Sequence, residues 1–71
     1  MHIGTQLVAP ESFGSLVHEQ TYYLLSNRAD LDTATLIWFT KAKNAWKVHF
    51  ISLTNETFEG ALLSGALVPA P

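Results

Sequence analysis

Two adjacent runs of β-branched and aromatic residues constrain the fold of this chain more than any other feature. Residues 33–40 (TATLIWFT) and 45–53 (AWKVHFISL) both have the composition that favours strands. Only a short polar connection, residues 41–44, separates them. Because so short a connection joins antiparallel neighbours, the sequence predicts a β-hairpin in the second half of the chain.

Period-2 alternation gives the second strand of this hairpin two unlike faces. One face carries Trp46, Val48 and Phe50. The other face carries Lys47, His49, Ile51 and Leu53. We also expect Trp38 and Trp46 to lie close enough for an aromatic contact across the hairpin.

The segments before the hairpin contribute a further strand and a terminal extension. Residues 16–26 favour a strand whose centre, residues 22–25 (YYLL), is apolar on both faces. The polar residues 27–32 favour a loop. Because Pro10 and Gly14 interrupt the pattern near the start, residues 1–14 are predicted to form an N-terminal arm or an edge strand.

The segment after the hairpin has helical periodicity. Thr54 or Asn55 can cap a helix, Phe58 and Leu62 recur at helical spacing, and Gly65 is a natural C-terminal stop. Residues 69–71 (PAP) are then expected to form an extended exit or linker.

These elements predict an α+β fold: a small antiparallel sheet of three to four strands with one C-terminal helix. A further strand at the front and a brief one near Leu67 would also fit the pattern. A flat two-layer sheet and a half-closed barrel stay open as alternatives. At 71 residues the chain is one domain, or part of one, and we assign the domain to residues 15–68.

The charge balance excludes one class of function. Four Lys and Arg stand against six Asp and Glu, which gives a net charge of −2. Proteins that bind nucleic acid tightly and without sequence preference present a strongly basic face instead. The chain also has no cysteine, and this removes disulfides and thiolate metal sites.

The sequence holds no recognisable catalytic arrangement. No serine lies in a nucleophile-elbow motif, and no glycine-rich segment forms a phosphate-binding loop. Asp30 and Asp32 could hold a cation, but they have the spacing of turn residues. No two of the three histidines, His2, His18 and His49, have the spacing of a pair of metal ligands. We therefore expect no enzyme activity, no metal and no cofactor.

A group of basic residues is the candidate contact with DNA. The group contains Arg28, Lys41, Lys43 and Lys47, with Trp46 beside the lysines. Lysines attract a phosphate backbone, and an aromatic ring can stack on a base. Because four cations would displace only a few counterions from the phosphates, we expect DNA to be a weak, assisting partner. The alternative is that the lysines lie on a solvated turn.

The helix residues Phe58 and Leu62, with Leu63 beside them, have two interpretations. They could form a partner-binding face. Alternatively, they attach the helix to the sheet, because a domain this small needs its large apolar residues in its core. The surplus of aromatic residues in the strands leaves room for an exposed patch that docks onto a neighbouring domain.

Four motifs follow one another in residues 15–69. They are an apolar opening after Gly14, the strand Tyr23-Leu24-Leu25, the apolar hairpin of residues 36–53, and the Leu-x-x-Gly-x-Leu pattern of residues 62–67. In this order they resemble the small N-terminal β-rich domain of the DDE-type transposase subunit of Mu-like, multi-protein bacterial transposons. The resemblance covers about three quarters of the chain.

The resemblance implies a non-catalytic accessory role in DNA recombination. The catalytic carboxylates of such transposases lie in a separate downstream domain, so none is assigned to Asp30, Asp32 or Glu59. The N-terminal domain would assist binding of the transposon-end DNA or assembly of the transposase on it. The proline-containing exit would lead toward helix-turn-helix domains.

Two other functions stay open beside this one. The chain could be a free-standing protein of a mobile element or phage that binds a protein partner, including a second copy paired through edge strands. It could also be a small ligand-binding barrel, with the two tryptophans and two tyrosines lining a pocket.

The start of the chain lacks the basic and apolar regions of a secretory signal. No apolar run approaches the roughly 20 residues that a membrane span needs. We therefore expect a cytoplasmic protein without a membrane partner.

Overall fold

The computed structural model describes residues 1–12, 14, 16–17 and 20–70. It contains one sheet of five antiparallel strands and one helix. In chain order the elements are β1 (Gln6–Val8), β2 (Thr21–Arg28), β3 (Thr33–Ala42), β4 (Ala45–Thr54), α1 (Asn55–Ser64) and β5 (Val68–Pro69). Across the sheet the strand order is β4-β3-β2-β1-β5. The α+β fold is confirmed, with five strands instead of three to four because the short β1 and β5 both join the sheet.

The predicted hairpin is formed by β3 and β4, which pair over ten consecutive positions from Thr33↔Thr54 to Ala42↔Ala45. Its loop is only Lys43 and Asn44, because Lys41 and Ala42 continue the ladder. The predicted four-residue connection was therefore too long. Lys43 has φ +53, the left-handed backbone that a two-residue hairpin turn demands.

The hairpin register separates the two tryptophans. Trp38 lies opposite His49, and Trp46 lies opposite Lys41. Position 46 is an odd number of residues from position 49, so the two indole rings project from opposite faces of the sheet. The predicted Trp38–Trp46 contact is wrong. Trp38 instead stacks on the His49 ring at 5.4 Å and meets Tyr22 edge-on at 5.2 Å.

The strand β2 begins and ends later than its sequence suggests. It starts at Thr21 instead of near residue 16, and it continues through Arg28, which pairs with Thr33. The register shifts between Leu24 and Ser26, where a bulge inserts Leu25. Pairing with β3 therefore overrides the polar character of residues 27–28, and the turn shortens to residues 29–32.

The two ends of the chain are both part of the sheet. Leu7 in β1 pairs with Tyr22 on one side and with Pro69 on the other, so β1 is an interior strand. The Ala70 N–H donates to the Gln6 carbonyl at 2.8 Å. Thus the segments predicted as an arm and as an exit pair with each other. The last residue of that exit, Pro71, lies outside the described residues.

The helix begins and ends as predicted, because its signals are local. The Thr54 hydroxyl accepts a hydrogen bond from the Thr57 N–H at 3.1 Å, the standard N-cap contact. Gly65 ends the helix with φ +81, and its N–H donates to the Leu62 carbonyl at 3.4 Å. Glycine adopts this left-handed conformation without the steric cost that a Cβ would add.

The core lies between α1 and one face of the sheet. Phe58 and Ala61 project from the helix into this layer. The buried core residues are Leu7, Ala9, Leu16, Tyr22, Leu24, Ala34, Leu36, Phe58, Ala61 and Leu67. The Tyr22 hydroxyl also accepts a hydrogen bond from the Val17 N–H at 2.8 Å, which ties the segment before β2 to the core. With α1 on one face, the other face of the sheet is turned to solvent.

Candidate interaction surface

The sheet face turned away from α1, here named the open face, has two unlike halves. The half near the β3–β4 turn, named the apolar half, carries Tyr23, Ile37, Phe39, Trp46, Val48 and Phe50. The half near the β2–β3 turn, named the polar half, carries Thr33, Thr35, Ser52 and Thr54. Both halves follow from alternation, because residues at even spacing along paired strands share a face.

Side chains of the apolar half are strongly exposed. Phe50 is 72% exposed, Trp46 67%, Val48 60% and Phe39 43%. Given the size of aromatic side chains, these four present roughly 500 Å² of mostly apolar surface. Single exposed apolar residues are ordinary, but a contiguous patch of this size is often a functional surface.

The apolar half is a continuous surface because its residues are cross-strand neighbours. Phe39 lies opposite Val48, and Ile37 lies opposite Phe50. The Phe39 and Tyr23 rings meet edge-on at 5.9 Å. A shallow depression opens among Gln20, Thr21, Tyr23, Phe39 and Trp46. The surface is thus a gently concave apolar platform and not an enclosed pocket.

The polar half carries the side chains that are expected on the solvated face of a sheet. The hydroxyl oxygens of Thr35 and Ser52, which are directly opposite on β3 and β4, lie 2.9 Å apart and share a hydrogen bond. Antiparallel sheets with one solvated face normally carry such polar side chains on it. The apolar half departs from this rule within the same two strands.

The predicted DNA-contact residues are only partly brought together. The Lys41 ammonium lies 5.6 Å from the centre of the Trp46 ring, within range of a cation–π contact. Lys43 lies beside them in the turn. Lys47 lies opposite Thr40, which places its side chain on the face that carries α1. Lys41 and Trp46 therefore share the open face at the hairpin tip, Lys43 lies in the adjoining turn, and Lys47 lies on the other face.

Arg28 does not join this group. It pairs with Thr33 at the far end of β3, roughly 30 Å along the strand from the hairpin turn. Its guanidinium donates to both carboxylate oxygens of Asp30, at 3.1 and 2.6 Å. A bidentate pair holds both partners in place, although its exposure to water makes it worth little to stability.

The charges of the chain are segregated along the long axis of the molecule, which measures 37 Å. Lys41, Lys43 and Lys47 lie near the hairpin tip, with Lys47 on the face opposite to Lys41. Asp30 and Asp32 lie in the β2–β3 turn at the opposite end. Glu56, in the first turn of α1, lies at that same end, since the Asn55 N–H donates to the Asp32 carbonyl at 3.2 Å. One end is thus basic, and the other has more acidic than basic residues, since Arg28 is the cation there and is paired with Asp30.

The predicted partner-binding residues of the helix lie in or beside the core. Phe58 is 1% exposed, and Leu62 is a partly buried residue packed against the core. Both attach α1 to the sheet, as the second interpretation of the sequence expected, so their side chains offer no docking face. Leu63, which is 90% exposed, projects outward from α1.

The arrangement of the other polar and aromatic residues assigns no further site. Within the described ranges no group of three or more His, Cys, Asp and Glu residues could hold a metal ion; His18 lies outside them. Tyr22 is buried in the core, whereas Tyr23 and Trp46 lie on the open face. The aromatic rings expected to line a ligand pocket are therefore divided between the two faces. In the described part of the chain, no helix is long and apolar enough to cross a membrane.

Sequence reasoning placed Trp46, Val48 and Phe50 on one face but did not recognise the apolar half as a surface. The missing information was which face α1 covers. A signal was present, because β3 and β4 are apolar on both faces, and a sheet with one helix covers only one of them.

Comparison of the chain with models of known protein families, with curated proteins and with solved structures found no match. The function proposed below therefore depends on the geometry of the open face.

Proposed function

We propose that the chain is a non-catalytic interaction module that binds a short amphipathic helix of a partner protein on the apolar half of its open face. The observation that carries the proposal is the exposure of Trp46, Val48 and Phe50 side by side on β4, at 60–72%. Covering these side chains removes apolar area from water, which is the main driving force of protein association.

The dimensions of the apolar half suit one helix. It spans the three strands β2, β3 and β4, which is about 15 Å across. Along the strands it extends from Ile37 to Phe39 and from Trp46 to Phe50, again about 15 Å. A helix is about 10–12 Å in diameter, and three turns of it are about 16 Å long. Such a helix would lie on the side of the sheet opposite to α1, so that the sheet would be packed between two helices.

The energetics favour binding through a few aromatic side chains. Burying about 500 Å² of apolar surface contributes on the order of 12 kcal/mol before the costs of association. Those costs are about 4–15 kcal/mol, so the net affinity depends on how well the partner fits. Phe50 and Trp46, the most exposed aromatic residues of the patch, are the expected hot spots, since aromatic anchors dominate most interfaces.

The resemblance to a transposase N-terminal domain supplies the setting of this proposal. In that setting the module assists assembly of a DNA-recombination protein on transposon ends, and the partner helix belongs to another part of the assembly. The same surface would serve a free-standing protein of a mobile element or phage. The proposal includes a cytoplasmic location, which recombination on bacterial DNA requires.

The test is site-specific photo-crosslinking in the cells that express the protein. A p-benzoylphenylalanine replaces Phe39, which lies in the interior strand β3 and is 43% exposed on the open face. The matched control replaces Leu63, which is 90% exposed on α1. Adducts are separated by mass and identified by mass spectrometry.

We expect one dominant protein adduct from position 39, mapped to an amphipathic helical segment, and none of it from position 63. Equal adducts from the two positions would contradict the proposal, because the open face would then behave as ordinary surface. Adducts with DNA alone would replace a protein partner with a nucleic-acid one.

A second candidate function, weak contact with DNA, is favoured by one observation at the hairpin tip. Lys41 is held over the Trp46 ring, and Lys43 projects from the turn beside them. With two or three phosphate contacts, the logarithm of the affinity should fall against the logarithm of salt concentration with a slope of about −2 to −3. A fluorescence titration with a short duplex measures this slope. Binding unchanged by Lys41→Gln together with Lys43→Gln would remove this function.

A further inference from the structure

We propose that two copies of this chain associate through the outer edges of their β4 strands, antiparallel, about a two-fold axis that passes between the two His49 residues. The result is one continuous sheet built from two five-stranded sheets. This inference goes beyond the helix-binding function, because it concerns the edge of β4 and does not depend on what covers the open face.

The backbone of β4 offers an ordered row of hydrogen-bonding groups. The two-residue loop makes Ala42↔Ala45 a hydrogen-bonded pair, since residues that flank such a loop exchange both bonds. Alternate pairs along β4 are then non-hydrogen-bonded with β3, and their N–H and C=O groups point to the outer edge. The residues of β4 at these positions are Trp46, Val48, Phe50, Ser52 and Thr54. Thr54 is the N-cap of α1, so the helix uses its carbonyl, and the first four are left with both groups directed outward.

The edge lacks the features that usually protect one. Its ladder with β3 runs for ten pairs without a bulge or a proline, and Lys47 is the only charged residue in β4. Natural proteins normally shorten, bulge or charge a free edge to prevent pairing with another strand. No strand in the described part of the chain covers the outer side of β4. The edge is thus suited to a strand partner.

One register uses all the outward groups. With the axis at His49, Trp46 pairs with Ser52 of the second copy, and Val48 pairs with Phe50. This is the register that pairs the four outward-facing residues only with one another, and it gives about eight backbone hydrogen bonds. An axis at Val48 would leave Ser52 opposite the turn residue Asn44. An axis at Phe50 would pair Trp46 with Thr54, which already caps α1.

The side chains agree with this register. Val48 and Phe50 project from the open face. Across the axis, Val48 of each copy would contact Phe50 of the other copy. Pairs of an aromatic with a β-branched residue are among the favourable cross-strand contacts. Because paired residues share a face, the two apolar halves would join into one larger platform.

The charges are complementary in the same arrangement. Antiparallel pairing places the basic hairpin tip of each copy beside the acidic end of the other. Lys43 falls opposite Asn55 of the second copy, next to Glu56 in the first turn of its helix. The two-fold axis repeats this contact. Opposite charges at both ends of the seam favour the antiparallel orientation and speed the encounter.

The first test is sedimentation equilibrium of the purified chain over a range of concentrations. The apparent mass should rise from 7.8 kDa toward twice that value. Val48→Lys, which places two cations at the seam, should raise the dissociation constant by about tenfold or more. The matched control Leu63→Lys should leave it unchanged. A wild-type chain that stays monomeric at millimolar concentration would overturn the proposal.

The second test reads the register through disulfides, because the chain has no cysteine of its own. Single-cysteine variants His49→Cys, Val48→Cys and Phe50→Cys place the thiol at each alternative axis. Only position 49 should form an intermolecular disulfide in mild oxidant, since Cα atoms must lie within about 7 Å. A dimer that crosslinks at position 48 or 50 would refute the register. If no dimer forms, the photo-crosslinking at position 39 still tests helix binding independently.

Discussion

Replacing Phe58 with alanine should remove a large part of the stability of this chain. Phe58 is 1% exposed and is the largest side chain that α1 contributes to the core. Truncating a buried phenylalanine costs about 3–5 kcal/mol, because transfer free energy is lost and a cavity remains. A chain of this length has about 4–11 kcal/mol of stability in total. The variant is therefore expected to unfold at a much lower urea concentration than the wild-type chain.

The assay is urea unfolding followed by tryptophan fluorescence and by far-ultraviolet circular dichroism. Trp38 reports on the core because its ring meets Tyr22 at 5.2 Å. Phe58→Leu keeps an apolar side chain and should cost about 1–2 kcal/mol. Leu63→Ala, on the same helix but 90% exposed, should change stability by less than about 0.5 kcal/mol.

A loss of stability for Phe58→Ala no larger than that for Leu63→Ala would contradict the burial of Phe58 in the core. Phe58 would then be a surface residue, and its role as a partner contact would return. An intermediate loss with a changed urea slope would instead show that the unfolded state had changed, since the slope follows the area exposed on unfolding.

Three further substitutions test the local geometry, each measured as a shift of the thermal midpoint. Thr54→Ala should destabilise by about 1 kcal/mol, which is roughly 4–8 °C for a domain this small, because the Thr57 N–H loses its 3.1 Å partner; Thr54→Ser should keep most of the stability. Gly65→Ala should cost about 1 kcal/mol, because φ is +81 there. Lys43→Gly should raise stability by up to about 1 kcal/mol, because lysine is strained at φ +53; a lower midpoint would show that the turn tolerates its lysine.

The features that could be predicted from the sequence are those that local signals determine. The helix bounds follow from the hydroxyl of Thr54 and the left-handed Gly65, and both act within one turn of the chain. The division of β4 into two faces follows from alternation alone. The sheet and its single helix could therefore be assigned without knowledge of the tertiary structure.

What the sequence missed was determined between elements. The hairpin loop shortens because Lys41 and Ala42 pair with β4. Trp38 and Trp46 would lie on opposite faces with either loop length, because a register shift of two residues leaves each side chain on its own face. The pairing of β5 with β1 depends on Leu67, whose burial brings the end of the chain back to the sheet. The apolar half became visible only after the position of α1 was known.

Strand pairing and alternation also explain why the basic residues do not form one group in the fold. Arg28 lies in a loop by composition, but pairing with Thr33 extends β2 and places it far from the lysines. Lys47 is separated from Lys41 by alternation. A cluster in the sequence thus became three separate positions in the fold.

Binding of a partner to the apolar half is tested by the yield of the position-39 photo-crosslink in two further backgrounds. Phe50→Ser removes the most exposed aromatic residue of the apolar half, and Leu63→Ser removes an even more exposed apolar residue from α1. We expect the protein adduct to be lost with Phe50→Ser and retained with Leu63→Ser, with both variants folded by circular dichroism. An adduct that persists at full yield with Phe50→Ser would contradict the claim that this surface binds the partner.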